Sequence, residues 1–165
     1  GLEGTLILAR DYHDKLETMV PPSILEEGLR LAGCLSVLPE SRVAVRHGAT
    51  AMHDITEGGV FGAVWEMAHA SGCGAHIMLS AIPMLESTRL LCGKIGADPY
   101  RMISSGCLLI ACRDGKQLCH ALDAQNIPCA IIGMATEEKA VVLETPEGIK
   151  PIDPPGPDEI YRIKL

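Results

Sequence analysis

The sequence has few aromatic residues: Phe, Trp and Tyr make up only 3% of its 165 residues. Exposed aromatic rings form the stacking platforms on which single-stranded nucleic acids bind, so their scarcity argues against a protein of that class. The core must instead be built from Leu, Ile, Val, Met and Ala. With 47% hydrophobic and 21% charged residues, the chain is too apolar for a disordered protein and suits one folded domain.

Positive charge is also scarce. The sequence has 14 Lys and Arg residues against 21 Asp and Glu residues, and its net charge is −7 at pH 7. An acidic surface repels phosphate backbones, so we expect no general nucleic-acid partner. No segment approaches the ~20 apolar residues of a membrane span, so we expect no membrane association. A local nest of backbone N–H groups can still bind one phosphate group on an acidic protein.

Paired cysteine motifs are absent. The seven cysteines include no Cys-x-x-Cys pair, whereas a disulfide framework or a four-thiolate zinc site normally shows close, paired spacing. Cys107 and Cys112 are five apart in a predicted strand and would face opposite sides of it, which argues against joint metal binding. We therefore expect reduced, mostly buried thiols in a cytoplasmic protein.

The hydrophobic pattern predicts alternating strands and helices. Strands are predicted at residues 4–9, 49–53, 75–79, 107–112, 129–134 and 140–144. Helices are predicted between them, for example at residues 39–47, 60–70, 85–95 and 116–125. This alternation favours an α/β sandwich, and the consecutive strands near the end favour a mixed sheet. The strand at 107–112 is expected to be central, and residues 151–165 are expected to form an extended tail.

The most informative segment is a glycine-containing turn between a predicted strand and a predicted helix. It contains Asp54, Thr56, Gly58 and Gly59. The first N–H groups of a helix have no partners within the helix and lie at the positive end of its dipole, so they favour an anion. Thr56 could donate a hydroxyl to a phosphate, and Asp54 is an oxygen ligand suited to Mg²⁺. Ordinary helix capping and a structural glycine pair are the alternative interpretation.

Two stretches of sequence resemble a known family. Residues 52–74 include the glycine turn and Trp-Glu-Met-Ala-His-Ala-Ser-Gly-Cys-Gly, and residues 98–110 include Asp-Pro-Tyr and Ile-Ser-Ser-Gly-Cys-Leu-Leu-Ile. Both resemble the C-terminal domain of the AIR synthase-related (PurM-like) family, with the greatest likeness to its HypE-like hydrogenase-maturation branch. The resemblance spans nearly the whole chain, so we interpret residues 1–165 as one such domain.

The resemblance implies a fold and a site. The fold would be a three-layer α/β/α sandwich with a mixed sheet that closes over the substrate site. Asp54 and His53 would be catalytic, and Asp54 would also bind metal. Phosphate or substrate would contact Thr56, Gly58, Gly59, Ser104, Ser105 and Gly106. Without the resemblance, Ser104–Gly106 would be interpreted as a plain loop, since Ser and Gly are common in turns.

The resemblance also implies cofactors and partners. Family members use ATP and Mg²⁺, bound mainly by an N-terminal domain that also forms a homodimer. The sequence begins at Gly1 and lacks a counterpart of that domain, so we expect a fragment of a two-domain ATP-dependent enzyme, inactive in isolation. A maturation protein is a further expected partner. The alternative function is a non-catalytic docking module of a metalloenzyme-maturation protein, marked by an exposed apolar patch.

One feature departs from the HypE-like pattern. Proteins of that branch end in a cysteine that carries a carbamoyl group, whereas this sequence ends Tyr-Arg-Ile-Lys-Leu and has no cysteine after Cys129. If this is the natural end, the branch's reaction on its own tail is not available, and a different substrate is expected.

Overall fold

A computed structural model describes residues 1–164 of the chain. The helices are α1 (Leu2–Asp11), α2 (His13–Leu16), α3 (Pro22–Arg30), α4 (Leu38–Arg46), α5 (Gly59–Ser71), α6 (Glu86–Ile95) and α7 (Gly115–Asp123). The strands are β1 (Ala49–Asp54), β2 (Gly74–Met78), β3 (Leu108–Cys112), β4 (Gly133–Thr136), β5 (Val141–Thr145) and β6 (Gly148–Pro151). Short 3₁₀ turns lie at Leu31–Cys34, Leu79–Ala81 and Glu159–Arg162.

The strands form two sheets. One has the order β4-β2-β5-β6, in which β2 and β5 are parallel and the other neighbours are antiparallel. The second pairs β1 with β3 antiparallel, with Asp54 opposite Leu108. The expected α/β class with a mixed sheet is therefore confirmed. The expectation that residues 107–112 form a central strand is wrong, because β1 is the only pairing partner of β3 in residues 1–164.

Helix α5 joins the two sheets into the main core. Its apolar residues pack with residues of β2, β3 and β5. The buried residues of this core are Ile55, Val60, Phe61, Ala63, Val64, Ala68, Ala75, Ile77, Leu109, Leu143 and Ile152. Burial of this aliphatic surface fixes the direction of α5, and thereby the position of the glycine turn that precedes it.

A second core lies mainly between helices: Leu8, Leu25 and Leu91 come from α1, α3 and α6, and Met102 comes from the loop before β3. Here the strand predicted at residues 4–9 is wrong, because the segment belongs to α1. Gly28 explains how closely α1 and α3 approach: a Cβ added there would lie 2.7 Å from the Cβ of Ala9. A short apolar run fits a strand or a buried helix equally well. Here the packing of the segment against α3 decides for the helix.

A third, small core lies between α4 and α7, where Ala44, Leu118 and Leu122 are buried. The return segment after α7 was predicted as a strand at residues 129–134. Its regular part begins only at Gly133, the first residue of β4. In the part of the chain that the structure describes, no helix is both long enough and apolar enough to cross a bilayer.

Candidate anion-binding site

The glycine turn connects the end of β1 to the start of α5. Gly58 and Gly59 both have left-handed backbone conformations, with φ of +80° and +62°, which residues with a Cβ adopt at a cost. A Cβ on Gly59 would collide with the backbone carbonyl of Tyr100 and lie 2.9 Å from the backbone nitrogen of Met102. Both glycines are buried, while Thr56 is exposed. The turn therefore needs glycine for conformation and, at Gly59, for space.

The second predicted segment packs directly on this turn. The N–H of Ile55 donates to the carbonyl of Cys107 at 2.9 Å, and the N–H of Phe61 donates to that of Tyr100 at 3.2 Å. The rings of Phe61 and Tyr100 stack with their centroids 5.2 Å apart. The structure therefore brings together the two segments that the sequence analysis singled out.

Within that second segment, Ser104 is used internally. Its hydroxyl accepts from the backbone nitrogens of Gly1 and Leu2 at 2.9 and 3.0 Å, at the start of α1. It also donates to the Cys107 sulfur at 3.3 Å, and Ser104 is only 3% exposed. Gly106 has φ of +94°, and a Cβ there would collide with the carbonyl of Cys34. These contacts connect the segment to neighbouring helical elements. Ser105, which lies between Ser104 and Gly106 and is half-buried, is the other serine of the segment.

The C-terminal segment covers the glycine turn. The N–H of Gly58 donates to Asp158 Oδ2 at 2.7 Å, and the N–H of Ile160 donates to Oδ1 of the same carboxylate at 2.8 Å. Asp158 is 1% exposed. The Tyr161 hydroxyl donates to Glu57 Oε1 at 2.6 Å. The anion that occupies the predicted anion-binding turn is thus a carboxylate of the chain itself.

The tail was predicted only as an extended segment, so Asp158 was missed. An acidic residue that follows prolines gives no local sign of a contact made a hundred positions away. The one available sequence signal was the residue type itself, because Asp is a common N-cap residue and could start a short helical turn.

Asp54 and His53 end β1 beside the turn. The Asp54 side chain is 66% exposed. His53 Nδ1 lies 2.6 Å from the backbone oxygen of Asp54, and Nε2 lies 2.9 Å from Glu66 Oε2 on α5. A carbonyl oxygen only accepts, so Nδ1 donates the first hydrogen bond, and Nε2 is the ring nitrogen that contacts Glu66. The imidazole is therefore held in place, and it acts as a base only if Glu66 releases Nε2.

The acidic residues near the turn fit Mg²⁺ only if other ligands, such as phosphate oxygens and water, complete its coordination. In residues 1–164, no three His, Cys, Asp or Glu residues are grouped so as to hold a metal ion. Mg²⁺ commonly uses one or two carboxylates together with phosphate oxygens and water. Asp54, which is exposed and lies two positions before the exposed Thr56, fits such a partial role.

Two clefts lie away from the glycine turn. One, of ≈ 240 Å³, is lined by Trp65, His69, Cys73 and Lys139, and its Trp65 and His69 rings stack at 4.7 Å. The other, of ≈ 320 Å³, lies between α2 and α3. Neither contains a residue of the turn or the tail, whereas the turn presents left-handed glycine N–H groups and an anion already bound to one of them. The turn is therefore the stronger candidate.

Known proteins resemble this chain in sequence and structure. Residues 1–145 match the family described as AIR synthase related protein, C-terminal domain. A protein of Methanocaldococcus jannaschii named for hydrogenase expression and formation is 33% identical over 164 residues, which cover 93% of this chain and 44% of that protein. The crystal structure of Escherichia coli HypE, a hydrogenase maturation protein, has a TM-score of 0.69 at 32% identity and covers 79% of this chain and 42% of that one.

More distant structures show the fold alone. HypE in complex with ATP has a TM-score of 0.58 at 23% identity and covers 68% of this chain and 37% of that one. A HypE–HypF complex has a TM-score of 0.63 at 22% identity and covers 72% of this chain and 41% of that one. These similarities confirm the expected PurM-like α/β fold, and the chain spans less than half the length of the relatives that it matches.

Proposed function

The chain belongs to the AIR synthase related family, as the C-terminal domain of that family, and on this premise we propose that it is one part of an ATP-using enzyme whose glycine turn contacts a phosphate group. The phosphate belongs to the nucleotide or to a substrate activated by it. The chain covers 44% of the length of its Methanocaldococcus relative. The other part of the enzyme supplies most of the ATP and Mg²⁺ contacts and the homodimer interface.

The observation that carries this proposal is the carboxylate of Asp158 on the N–H of Gly58, at 2.7 Å. A carboxylate and a phosphate are both oxyanions that accept short hydrogen bonds from backbone N–H groups. The turn therefore has the hydrogen-bonding capacity that a phosphate needs. It also follows that a phosphate oxygen and Asp158 compete for the same N–H group.

The exposed residues of the turn have separate roles in this proposal. Thr56 donates its hydroxyl to a phosphate oxygen, and Asp54 supplies one oxygen ligand to a Mg²⁺ ion that the phosphate also binds. Mg²⁺ bound there neutralises phosphate charge during transfer. His53, held by Glu66 at 2.9 Å, orients the end of β1 and provides a proton close to the site.

A maturation protein is the proposed external partner, because the relatives are hydrogenase maturation proteins and one HypE is solved with HypF. A second candidate function, a docking module without catalysis, is favoured by one specific observation. Met134 and Ile149 are 68% and 65% exposed on the edge strands of the larger sheet. A docking module would present such side chains within a contiguous apolar patch, which is typical of protein-contact surfaces.

Calorimetric titration tests the enzyme proposal. ATP, ADP and inorganic phosphate are titrated into the protein with and without Mg²⁺. We expect binding that Thr56→Ala weakens, and a Mg²⁺-dependent part that Asp54→Asn removes. Thr50→Ala and Asp14→Asn, exposed positions away from the turn, are the matched controls and should bind as the wild type does.

Asp158→Ala is the most discriminating variant in this titration. Removing the competing carboxylate should tighten phosphate binding, whereas Asp153→Ala, an exposed acidic residue of the same tail, should not. If no ligand binds to any of these variants, the titration is repeated with a chain that includes the preceding half present in the relatives. Absence of binding there too would reject the enzyme proposal in favour of the docking module.

A further inference from the structure

Three of the seven cysteines converge on the small core between α4 and α7. Cys112 ends β3, Cys119 lies on α7, and Cys129 follows that helix. Cys112 and Cys129 pack against the same buried residues, and the Cys129 sulfur lies 3.6 Å from the backbone oxygen of Cys119. Their sequence spacing matches no paired motif, so the sequence alone predicts only separate, reduced thiols.

The convergence results from a chain reversal after α7. Asn126 has a left-handed conformation with φ of +58°, and the N–H of Ile127 returns to the carbonyl of Leu122 at 3.1 Å. The following segment runs back along the helix, and Ile131 lies against Gly115, with its Cδ1 3.1 Å from the position of an added Cβ. The same reversal brings Cys129 alongside Cys119.

Cys119 and Cys129 are in contact and accessible. The Cys129 sulfur donates to the backbone oxygen of Cys119 at 3.6 Å and lies 3.9 Å from Asp123 Oδ1. Both residues are partly exposed. A small reagent can therefore reach both cysteines of a pair whose residues are already in contact.

We propose that Cys119 and Cys129 are a redox-active pair that forms a reversible intramolecular disulfide with a low-molecular-weight disulfide as the oxidant. The thiolate of one cysteine attacks the small disulfide, forms a mixed disulfide and releases one small thiol. The second cysteine then attacks the mixed disulfide and releases the other small thiol. Two electrons pass from the pair to the oxidant, and the two protons lost by the pair are taken up by the released thiolates.

The surroundings make this oxidation slow at neutral pH. Burial, contact with Cys119 and the charge of Asp123 raise the pKa of Cys129 to about 12, and only the thiolate attacks a disulfide. Oxidation that begins at Cys129 is therefore expected to be faster at mildly alkaline pH than at neutral pH. Cys92, by comparison, is 1% exposed and is closed to the oxidant.

The positions of the tryptic cleavage sites allow a direct assay for a disulfide between Cys119 and Cys129. Cleavage after Lys116 and Lys139 releases one tryptic peptide, residues 117–139, that contains both cysteines, while Cys112 lies in another peptide. The protein is incubated with oxidised glutathione at mildly alkaline pH, its free thiols are alkylated, and the digest is analysed by mass spectrometry. We expect this peptide to lose two hydrogen atoms, to escape alkylation, and to recover both thiols after reduction with dithiothreitol.

Variants decide whether the pair itself is responsible. Cys119→Ser and Cys129→Ser should each abolish the two-hydrogen loss, whereas Cys112→Ser and Cys73→Ser, a partly buried cysteine outside the cluster, should keep it. Circular dichroism checks that each variant is folded. The proposal is overturned if folded wild-type protein keeps both thiols alkylatable, carries only mixed disulfides with glutathione, or joins Cys119 to the Cys112 peptide instead.

Discussion

The turns at residues 56–59 and 104–106 have the same composition, a hydroxyl residue followed by glycine in a left-handed conformation. In the first, Thr56 is exposed and the N–H of Gly58 donates to the carboxylate of Asp158. In the second, the Ser104 hydroxyl is 3% exposed and holds the start of α1. The two turns also contact each other through the loop that contains Tyr100.

The difference between these turns lies in what already satisfies their polar groups. A hydroxyl committed to a helix start has no capacity left for a ligand, because breaking that bond would leave buried N–H groups without partners. An exposed hydroxyl beside an N–H group whose partner is a side-chain carboxylate retains that capacity, because another oxyanion can replace the carboxylate. The two turns share their composition, and their hydrogen bonds separate the proposed binding turn from the structural one.

Alanine at the glycines should give the largest effect on stability. At Gly59 and Gly106 it adds left-handed strain and a collision with backbone atoms, and we expect a loss of about 3 kcal/mol or more in the free energy of unfolding. Gly48→Ala is the matched control. Gly48 has φ of +80°, and no atom of the described residues lies within 4 Å of an added Cβ, so only the strain of about 1–2 kcal/mol remains.

Urea denaturation measures these three variants side by side. Equal losses at Gly48 and Gly59 would mean that the loop of Tyr100 moves aside at little cost, and that the close contact between the two turns is not a constraint. A loss at Gly106 as small as that at Gly48 would remove the structural role assigned to the second turn.

The sequence predicted the elements around the first turn well. Residues 49–53 and 60–70 match β1 and α5 within one residue at each end, because alternation, helical spacing and glycine are local signals. It did not predict Asp158 or Glu66, whose contacts with Gly58 and His53 join positions distant in sequence. Ser104 was expected at the substrate, but its position beside α1 depends on tertiary packing that no local pattern encodes.

Removing each hydroxyl should separate the two turns in solution. Ser104→Ala deletes the acceptor at the start of α1 and should lower the free energy of unfolding by about 1–2 kcal/mol. It should leave phosphate binding unchanged. Thr56→Ala removes an exposed group and should change stability by no more than about 0.5 kcal/mol, while it weakens phosphate binding. Thermal melting and calorimetry on both variants give the two readouts, and a reversed pattern would exchange the roles of the turns.

The smallest effect concerns the tail that covers the first turn. The hydrogen bond to Glu57 raises the pKa of the Tyr161 phenol, because it favours the protonated form that donates. The folded-state pKa thus lies above the unfolded value of about 10. The bond therefore contributes stability below pH ~10, and that contribution is lost as the pH rises through the folded-state pKa.

Tyr161→Phe should accordingly be slightly less stable than the wild type at neutral pH, and the difference should vanish in alkaline solution. Urea denaturation at both pH values measures it, with Tyr12→Phe, in the helical core, as the control that should show no such convergence. A difference that persists at high pH would mean that Tyr161 stabilises the tail by packing alone. The cover over the first turn would then depend on Asp158, and a phosphate would have only that carboxylate to displace.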